Sequence, residues 1–269
     1  MVYLRSLKGT KLPPLIGVSA MRTKDIGNQF IELASTESTN KSAAELISLS
    51  KLRHGAVILA HDQTAGRGQR DRIWQSSPGL DLTFSIVVEP TGLRVDEQFV
   101  ISKMIALSVH HLVRKVLAGD VRIKWPNDIL VDRRKVAGIL IQNELQGEKV
   151  LWSIIGVGLN VNSSDYEEHL LATSLSMEAG RNFDRMEVLE AICLRFEFLW
   201  EQWKNGDDAI DEAYADQLWS KGRWAHVELD GKDQQVRPME VDSTGRLLVE
   251  HDNGTVGAYG SDRLRFAPR

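Results

Sequence analysis

Residues 63–79 read Gln-Thr-Ala-Gly-Arg-Gly-Gln-Arg-Asp-Arg-Ile-Trp-Gln-Ser-Ser-Pro-Gly and separate two apolar runs of the chain. The two runs, residues 56–60 and 82–88, predict a pair of buried strands. The connecting stretch is rich in glycine and arginine and has almost no aliphatic residues, so it cannot contribute to a core. Guanidinium groups and accessible backbone N–H groups bind anions, and such a loop between two strands therefore predicts a site for an anionic ligand.

The composition limits what the rest of the molecule can be. A length of 269 residues predicts one large domain and one small domain, and the net charge of −4 argues against a general nucleic-acid binder. The one cysteine, Cys193, excludes an intramolecular disulfide and a cysteine-based zinc cluster, and we expect it to be a buried structural thiol. Residues 1–17 contain no signal-peptide pattern, and no apolar run could span a bilayer, so we expect a cytoplasmic protein.

Hydrophobic periodicity predicts a mixed succession of strands and helices over most of the chain. The polar cluster at residues 35–40 offers helix N-caps, with Ala43, Ala44, Leu46 and Ile47 facing inward in the following helix. Asp184 and Glu187 form a capping-box pattern before another helix. Further predicted elements are strands near 30–33, 81–89, 121–124, 129–131, 136–141 and 150–161, and helices over 96–117 and 207–219.

The pattern changes at residue 222 to short alternating runs separated by turn residues. Asp230-Gly231, Ser243-Thr244-Gly245 and Asn253-Gly254 are typical of tight turns between antiparallel strands. We therefore predict a domain over residues 1–220 and a separate small β-barrel over residues 221–269.

Five motifs in a fixed order resemble the biotin–protein ligase family. They are Ser38-Thr39-Asn40, the loop at residues 66–74, Lys124-Trp125-Pro126-Asn127-Asp128, Lys135-Val136-Ala137-Gly138-Ile139-Leu140, and Gly156-Val157-Gly158-Leu159-Asn160. They span about residues 33–162, and their order and number make the resemblance specific. It implies an α+β fold with a class II tRNA-synthetase-like catalytic domain, a mixed sheet flanked by helices, and a C-terminal SH3-like β-barrel.

The resemblance also implies a two-step reaction. Such ligases activate biotin with MgATP to biotinyl-5′-AMP, and then transfer biotin to one lysine of a biotin carboxyl carrier protein or domain of acetyl-CoA carboxylase or a related carboxylase. Residues 1–37 are too few for a three-helix DNA-binding module before the motifs, so we expect a short ligase and not a DNA-binding repressor. The expected partners include no nucleic acid and no membrane, and the expected assembly is a monomer or a homodimer.

Matching the motifs position by position assigns roles to individual residues. The catalytic candidates are Lys135, Arg67 and Lys124. The candidate biotin-binding residues are Ser38, Thr39, Asn40, Gln63, Gly66, Arg67, Gly68, Gln69, Lys135, Gly138 and Gly156. The candidate ATP-binding residues are Arg70, Arg72, Trp74, Asn127 and Asn160, and Asp128 is the candidate Mg²⁺ ligand because Mg²⁺ prefers one or two carboxylates together with phosphates.

Each of these residue types has a simpler interpretation when it is taken alone. Ser38 and Thr39 could be ordinary helix caps, Asn127 and Asp128 a turn after Pro126, and a lysine in the charged stretch 132–135 a solvated surface residue. The conjunction of motifs favours the functional interpretation.

Two positions depart from the commonest pattern of the family. Gln69 stands where the family usually has arginine, and Asp71 stands where it usually has glycine. Glutamine cannot supply the charge that helps some members to retain the adenylate, so tight retention is in question here, although Arg70 or Arg72 could compensate.

Three other functions compete with this interpretation. A lipoate–protein ligase normally carries an Arg-Arg-x-Ser-Gly-Gly-Gly pattern, which this chain lacks. A biotin-binding regulator without turnover would lack the equivalent of Lys135. A binder of single-stranded nucleic acid would need a basic groove and stacking aromatic residues, which the net charge of −4 and the four tyrosines disfavour.

Overall fold

The computed structural model describes residues 21–70, 72–167 and 170–267. The predictions made for residues 1–17 and for Asp71 lie outside these described residues. Within the described part of the chain, none of the helices combines the length and the apolar character needed to cross a membrane.

The described chain alternates strands and helices before it ends in a run of short strands. In the first part the elements are β1 (Phe30–Leu33), α1 (Thr39–Ser48), β2 (Ala56–Ala60), β3 (Leu82–Val88), α2 (Phe99–Val116), β4 (Val121–Lys124), β5 (Asp128–Val131), β6 (Arg134–Gln146) and β7 (Lys149–Leu159). They continue with α3 (Leu175–Ala179), α4 (Arg185–Lys204), α5 (Ala209–Asp216), β8 (Ala225–Leu229), β9 (Lys232–Val241), β10 (Leu247–His251), β11 (Val256–Tyr259) and β12 (Leu264–Phe266).

A mixed seven-stranded sheet forms the centre of the larger part, in the order β1-β2-β3-β7-β6-β5-β4. Only the β1–β2 pair is parallel, and the other pairs are antiparallel. Helix α1 packs against β2, β3 and β7, whereas α2 packs against β4, β5 and β6 and also against α4 and α5. Two apolar cores result, with Leu46 and Ala43 in one and Ile101 and Met104 in the other.

Strand β3 shows why both cores are needed. All seven of its residues are buried, although their side chains point alternately to the two faces of the sheet. Both faces of β3 are therefore covered, and neither faces solvent. Leu82, Phe84 and Ile86 enter the core under α2, while Ser85 on the opposite face meets the first turn of α1.

The last five strands form a second, antiparallel sheet in the order β11-β10-β9-β8-β12, which we call the C-terminal sheet. The three predicted turns lie where expected, at 230–231 between β8 and β9, 243–245 between β9 and β10, and 253–254 between β10 and β11. The division of the chain into domains at residue 220 stays a prediction.

Most predicted elements are present, with shifted ends. The helix expected over 96–117 begins with a short 3₁₀ turn, Val95–Glu97, before α2, and the helix expected over 207–219 is limited to α5. Ala44 is exposed, so its predicted inward position was wrong, whereas Ala43 and Leu46 are buried as expected. Asp184 caps α4 by accepting from the backbone N–H groups of residues 186 and 187. Cys193 is buried, and this burial raises the pKa of its thiol, as a structural role requires.

The two sheets are joined by polar contacts that lie inside the protein. The Lys103 side chain on α2 is 2% exposed and places Nζ 3.0 Å from both Asp211 Oδ1 and the Val241 carbonyl oxygen. Trp125 Nε1 donates a 3.0 Å hydrogen bond to the carbonyl of Gly245, in the β9–β10 turn. The C-terminal sheet therefore provides acceptors for buried donors of the larger part.

Replacing Lys103 with alanine should lower the free energy of unfolding by about 2–3 kcal/mol, because the buried stem loses its packing and the Val241 carbonyl loses its donor. Chemical denaturation measures this change. Lys115→Ala, at an exposed position of the same helix, is the control and should stay within about 0.5 kcal/mol of the wild type. Equal effects of the two substitutions would contradict a linking role for Lys103.

Candidate active site

The strand register aligns residues of several motifs in one row across the larger sheet. Lys124 pairs with Asp128, Asp128 with Gly138, and Gly138 with Gly158. Directly opposed residues of adjacent strands project from the same face, about 4.8 Å apart. The register alone thus makes neighbours of residues that are up to 20 positions apart in the sequence, in a row that spans 34 positions.

Glycines leave the middle of this face without side chains. A Cβ atom at Gly156 would lie 2.4 Å from Asn40 Oδ1, and one at Gly158 would lie 2.2 Å from the Trp74 ring. Both distances are shorter than any real contact, so these two positions require glycine. The sheet face is a floor that lets other groups approach the backbone closely.

Trp74 is the group that covers this floor in the structure. Its ring lies against Gly158 and Gly138, and Lys135 Nζ is 5.3 Å from the ring centroid. The indole Nε1 is buried and has no hydrogen-bond partner among the described residues. A buried donor without a partner is costly, so the ring is positioned by packing and not by polar contacts.

Lys135 and Asp128 form the central ion pair of the site. Lys135 Nζ lies 2.7 Å from Asp128 Oδ1, and the two side chains are 28% and 19% exposed. The backbone of Lys135 is fixed as well, because its N–H donates to the Leu171 carbonyl and its own carbonyl accepts from Thr173. Lys135 is therefore a positioned cation at the wall of a cavity and not a solvated turn residue.

The first turn of α1 contributes neutral polar groups instead of charges. Ser38 is the N-cap residue of α1, but its side chain makes no capping hydrogen bond. The backbone N–H of Thr39 donates to Gln63 Oε1 at 2.8 Å, and Asn40 Nδ2 donates to the Leu140 carbonyl at 3.1 Å. These contacts hold the α1 motif against the loop and the sheet.

Ser85 fixes the direction of the hydrogen bonds in this cluster. Its Oγ lies 2.7 Å from both Thr39 Oγ1 and Asn40 Oδ1. Ser85 Oγ is the donor in both contacts, and its single proton is shared between the Asn40 amide oxygen, which can only accept, and Thr39 Oγ1. Thr39 Oγ1 therefore accepts from Ser85, and its own hydroxyl proton and second lone pair are available to a ligand in the cavity.

The glycine-arginine loop folds back on itself as a small hairpin. Arg67 pairs with Ile73, and the backbone N–H of Gly68 donates to the Arg72 carbonyl at 2.7 Å. The side chains of Arg67, Arg70 and Arg72 are exposed, and Arg70 has a positive φ of 55°. The loop thus holds three cations at the entrance of the cavity.

One cavity of about 650 Å³ gathers most of the predicted site residues, a volume typical of a small-molecule site. The predicted residues that line it are Ser38, Thr39, Asn40, Gln63, Arg67, Gly68, Gln69, Arg70, Arg72, Trp74, Lys124, Asn127, Asp128, Lys135, Gly138 and Gly156.

Two predicted residues do not line this cavity. Gly66 is buried within the loop, where a Cβ would lie 2.4 Å from the Trp74 carbonyl oxygen, and its role is to allow this approach. Asn160 is 4% exposed, and its Nδ2 donates to the Thr173 carbonyl at 2.9 Å. In this structure Asn160 stabilises the segment that holds Lys135, and its contact with ATP stays a prediction.

Several lining residues lie outside the recognised motifs. Leu170 and Leu171 reach the cavity from the segment before α3, and Glu228, Asp233 and Phe266 reach it from the C-terminal sheet. Leu170 and Leu171 are 44% and 39% exposed, but single exposed leucines are common, so the sequence gives only a weak indication that they belong to a site. The sequence gives no indication for the C-terminal residues, because only the folded chain brings them close to the motifs.

Comparison with known proteins identifies the family of the chain. Residues 32–160 match the model of the biotin/lipoate A/B protein ligase family. The chain is 31% identical over 252 residues to the bifunctional ligase/repressor BirA of Bacillus subtilis. The matched region covers 90% of this chain and 75% of that protein. The chain belongs to this family. It is also 28% identical over 261 residues to the biotin–[acetyl-CoA-carboxylase] ligase of Mycobacterium tuberculosis, covering 94% of this chain and 96% of that protein.

Solved structures confirm the predicted fold class. The biotin protein ligase from Aquifex aeolicus in complex with biotin and ATP superposes with a TM-score of 0.75 at 23% identity, covering 90% of this chain and all of that one. The fold is therefore α+β, with the class II synthetase-like sheet and the small C-terminal β-structure that the resemblance implied.

Gly156→Ala should lower the free energy of unfolding by about 1–3 kcal/mol, because the new methyl group must displace Asn40 and break its two hydrogen bonds. Chemical denaturation checks the value. Gly68→Ala is the control, since a Cβ there meets its nearest atom at an ordinary 3.4 Å. A Gly156→Ala protein as stable as the Gly68→Ala protein would show that the floor tolerates side chains.

Proposed function

We propose that this chain is a biotin–protein ligase that activates biotin with MgATP to biotinyl-5′-AMP in the 650 Å³ cavity and then transfers biotin to a lysine of a carrier protein. The observation that carries the proposal is the Lys135–Asp128 pair at 2.7 Å beside a glycine floor, in a cavity that Thr39 also lines. Lys135 suits a carboxylate and phosphates, whereas Thr39 suits a neutral polar ring.

The Thr39 hydroxyl favours biotin over lipoate. Biotin's ureido ring presents N–H donors and a carbonyl, whereas the dithiolane ring of lipoate presents neither. Thr39 Oγ1 accepts from Ser85, so its own proton and second lone pair can pair with the ureido carbonyl or an N–H group of the ligand. A lipoate ring would leave this buried hydroxyl without a partner, which costs binding free energy.

Cations near the carboxylate allow the first step. A biotin carboxylate oxygen bonds to the α-phosphorus of ATP, and the bond from that phosphorus to the bridging oxygen of the pyrophosphate breaks. Two anions must approach each other, and negative charge spreads over the phosphate oxygens in the transition state. Lys135 and Lys124 beside the floor, and Arg67 at its entrance, supply positive charge to offset this repulsion.

Asp128 fits a Mg²⁺ ligand, although the protein supplies little of the coordination sphere. No group of three or more acidic, histidine or cysteine residues that could hold a metal occurs in the described part of the chain. Mg²⁺ commonly takes one or two carboxylates and completes its shell with phosphates and water, and Asp128 with the neighbouring Asn127 suits that mode. A bound ion would neutralise phosphate charge, and Asp128 would offer its carboxylate to the ion as well as to Lys135.

The second step needs an amine from outside the chain. The lysine amine of the carrier attacks the acyl carbon of the mixed anhydride, an amide bond forms, and AMP leaves with the bonding pair. We propose a biotin carboxyl carrier domain of acetyl-CoA carboxylase or a related carboxylase as the acceptor, in line with the name of the M. tuberculosis relative. The net charge of −4 supports a ligase without DNA-binding function.

Biotin-dependent exchange of pyrophosphate into ATP tests the first step. The wild type should catalyse exchange with biotin and not with lipoate, and Lys135→Ala should reduce the rate by about 100-fold or more, as expected for loss of one electrostatic stabiliser. Lys149→Ala, at an exposed position outside the cavity, is the matched control and should retain the wild-type rate.

Wild-type protein that is folded but gives no exchange would refute the ligase proposal and favour a binding protein without turnover. Exchange supported equally by lipoate would refute the role given to Thr39. Transfer of label to a purified carrier domain, but not to its Lys→Arg variant, tests the second step separately.

Asp128→Asn should raise the Mg²⁺ concentration that gives half-maximal exchange by about tenfold, because asparagine keeps the shape but loses the charge that attracts the cation. A magnesium titration at fixed ATP and biotin measures the shift. Asp132→Asn, in the exposed turn after β5, is the control. An unchanged magnesium dependence in Asp128→Asn would show that Asp128 does not bind Mg²⁺ and serves only as the ion-pair partner of Lys135.

A further inference from the structure

Lys124 lies beside two aromatic rings that belong to later parts of the chain. Its Nζ is 5.7 Å from the ring centroid of Trp219, after α5, and 5.8 Å from that of Phe266, on β12. The two rings contact each other edge to face, with centroids 5.1 Å apart. An ammonium group within about 6 Å of a ring centroid is attracted by the negative face of the ring.

The backbone fixes both rings relative to Lys124. Next to Lys124, Ile123 donates to the Gln217 carbonyl and accepts from the Trp219 N–H, so the Trp219 backbone is attached to β4. Phe266 pairs with Val227 in the C-terminal sheet, and the next residue, Ala267, donates to the His226 carbonyl. The rings are therefore held by the fold and not by the lysine.

Only one of the two rings reaches the cavity. Lys124 and Phe266 both line it, whereas Trp219 does not. A lysine side chain has four methylene groups and many rotamers, and ordering it when an anion binds costs conformational entropy. A ring that holds the ammonium at the cavity wall removes part of this cost before the ligand arrives.

We propose that Phe266 is a positioning residue for the nucleotide, acting through Lys124. This inference rests on the proposed ligase function and adds to it a residue outside all five motifs. It requires that Phe266 affects ATP and leaves biotin unaffected, because the neutral polar side chains proposed for biotin come from the start of α1 and from Gln63.

The test compares an aliphatic with an aromatic replacement. Phe266→Leu keeps the apolar volume but removes the π face, and should raise the KM for ATP in the exchange assay by about 5–30-fold, the range expected from a cation–π contact that is partly desolvated. The dissociation constant of biotin should change by less than about twofold. Phe266→Tyr keeps the face and should restore the KM to within about twofold of the wild type.

A double-mutant cycle shows whether Phe266 acts through Lys124. In a Lys124→Met background, adding Phe266→Leu should weaken ATP binding, measured by calorimetry without biotin so that no adenylate forms, by less than about twofold. Phe198→Leu is the matched control, because this exposed ring lies near Arg195 and does not line the cavity. If Phe266→Leu does not fold, Phe266→Met replaces it in the same comparison.

Two results would overturn the inference while leaving the ligase function intact. One is an equal loss in Phe266→Leu and Phe266→Tyr, and the other is a loss from Phe266→Leu that is as large without Lys124 as with it. A wild type that gives no biotin-dependent exchange would instead refute the proposed function, so the two failures are distinguishable.

Discussion

The absence of side chains from one patch of the larger sheet is the constraint on which the rest of the site depends. Gly138, Gly156 and Gly158 leave the backbone of β6 and β7 open, and every other feature is placed against this floor. Asn40 approaches it from α1, Trp74 from the loop, and the row containing Asp128 continues from it. A side chain at these positions would displace Asn40 or Trp74, which form the walls. The glycines in the strands are therefore what leaves space for the cavity.

Electrostatics gives this floor its chemical character. The side chains of Lys124 and Lys135 lie along one side, and the exposed arginines of the loop stand at the entrance. Their charges are local, because the whole chain carries a net charge of −4. The cations therefore mark one cavity for an anionic ligand, and they are held by a contact with Asp128 in one case and with aromatic rings in the other.

The sequence was informative where function depends on short motifs. The loop, the Lys124–Asp128 segment and the Lys135 segment were recognisable, and the register of β4 to β7 explains why they meet. The sequence was uninformative where long-range packing determines which residues reach the site. Ser85 looks like an ordinary strand residue, Phe266 lies in a generic C-terminal strand, and the buried contact of Asn160 with Thr173 depends on a loop whose path no local pattern specifies.

A boundary near residue 220 is visible in the pattern of the sequence, but the buried contacts cross it. Lys103 needs the Val241 carbonyl, Trp125 needs the Gly245 carbonyl, and the Phe99 ring packs against the same turn. Separating the two parts would leave an ammonium and an indole donor without these acceptors and would expose an aromatic ring. The larger part would then be less stable and less soluble on its own. The C-terminal sheet therefore could not be exchanged or removed as an independent module without such a loss.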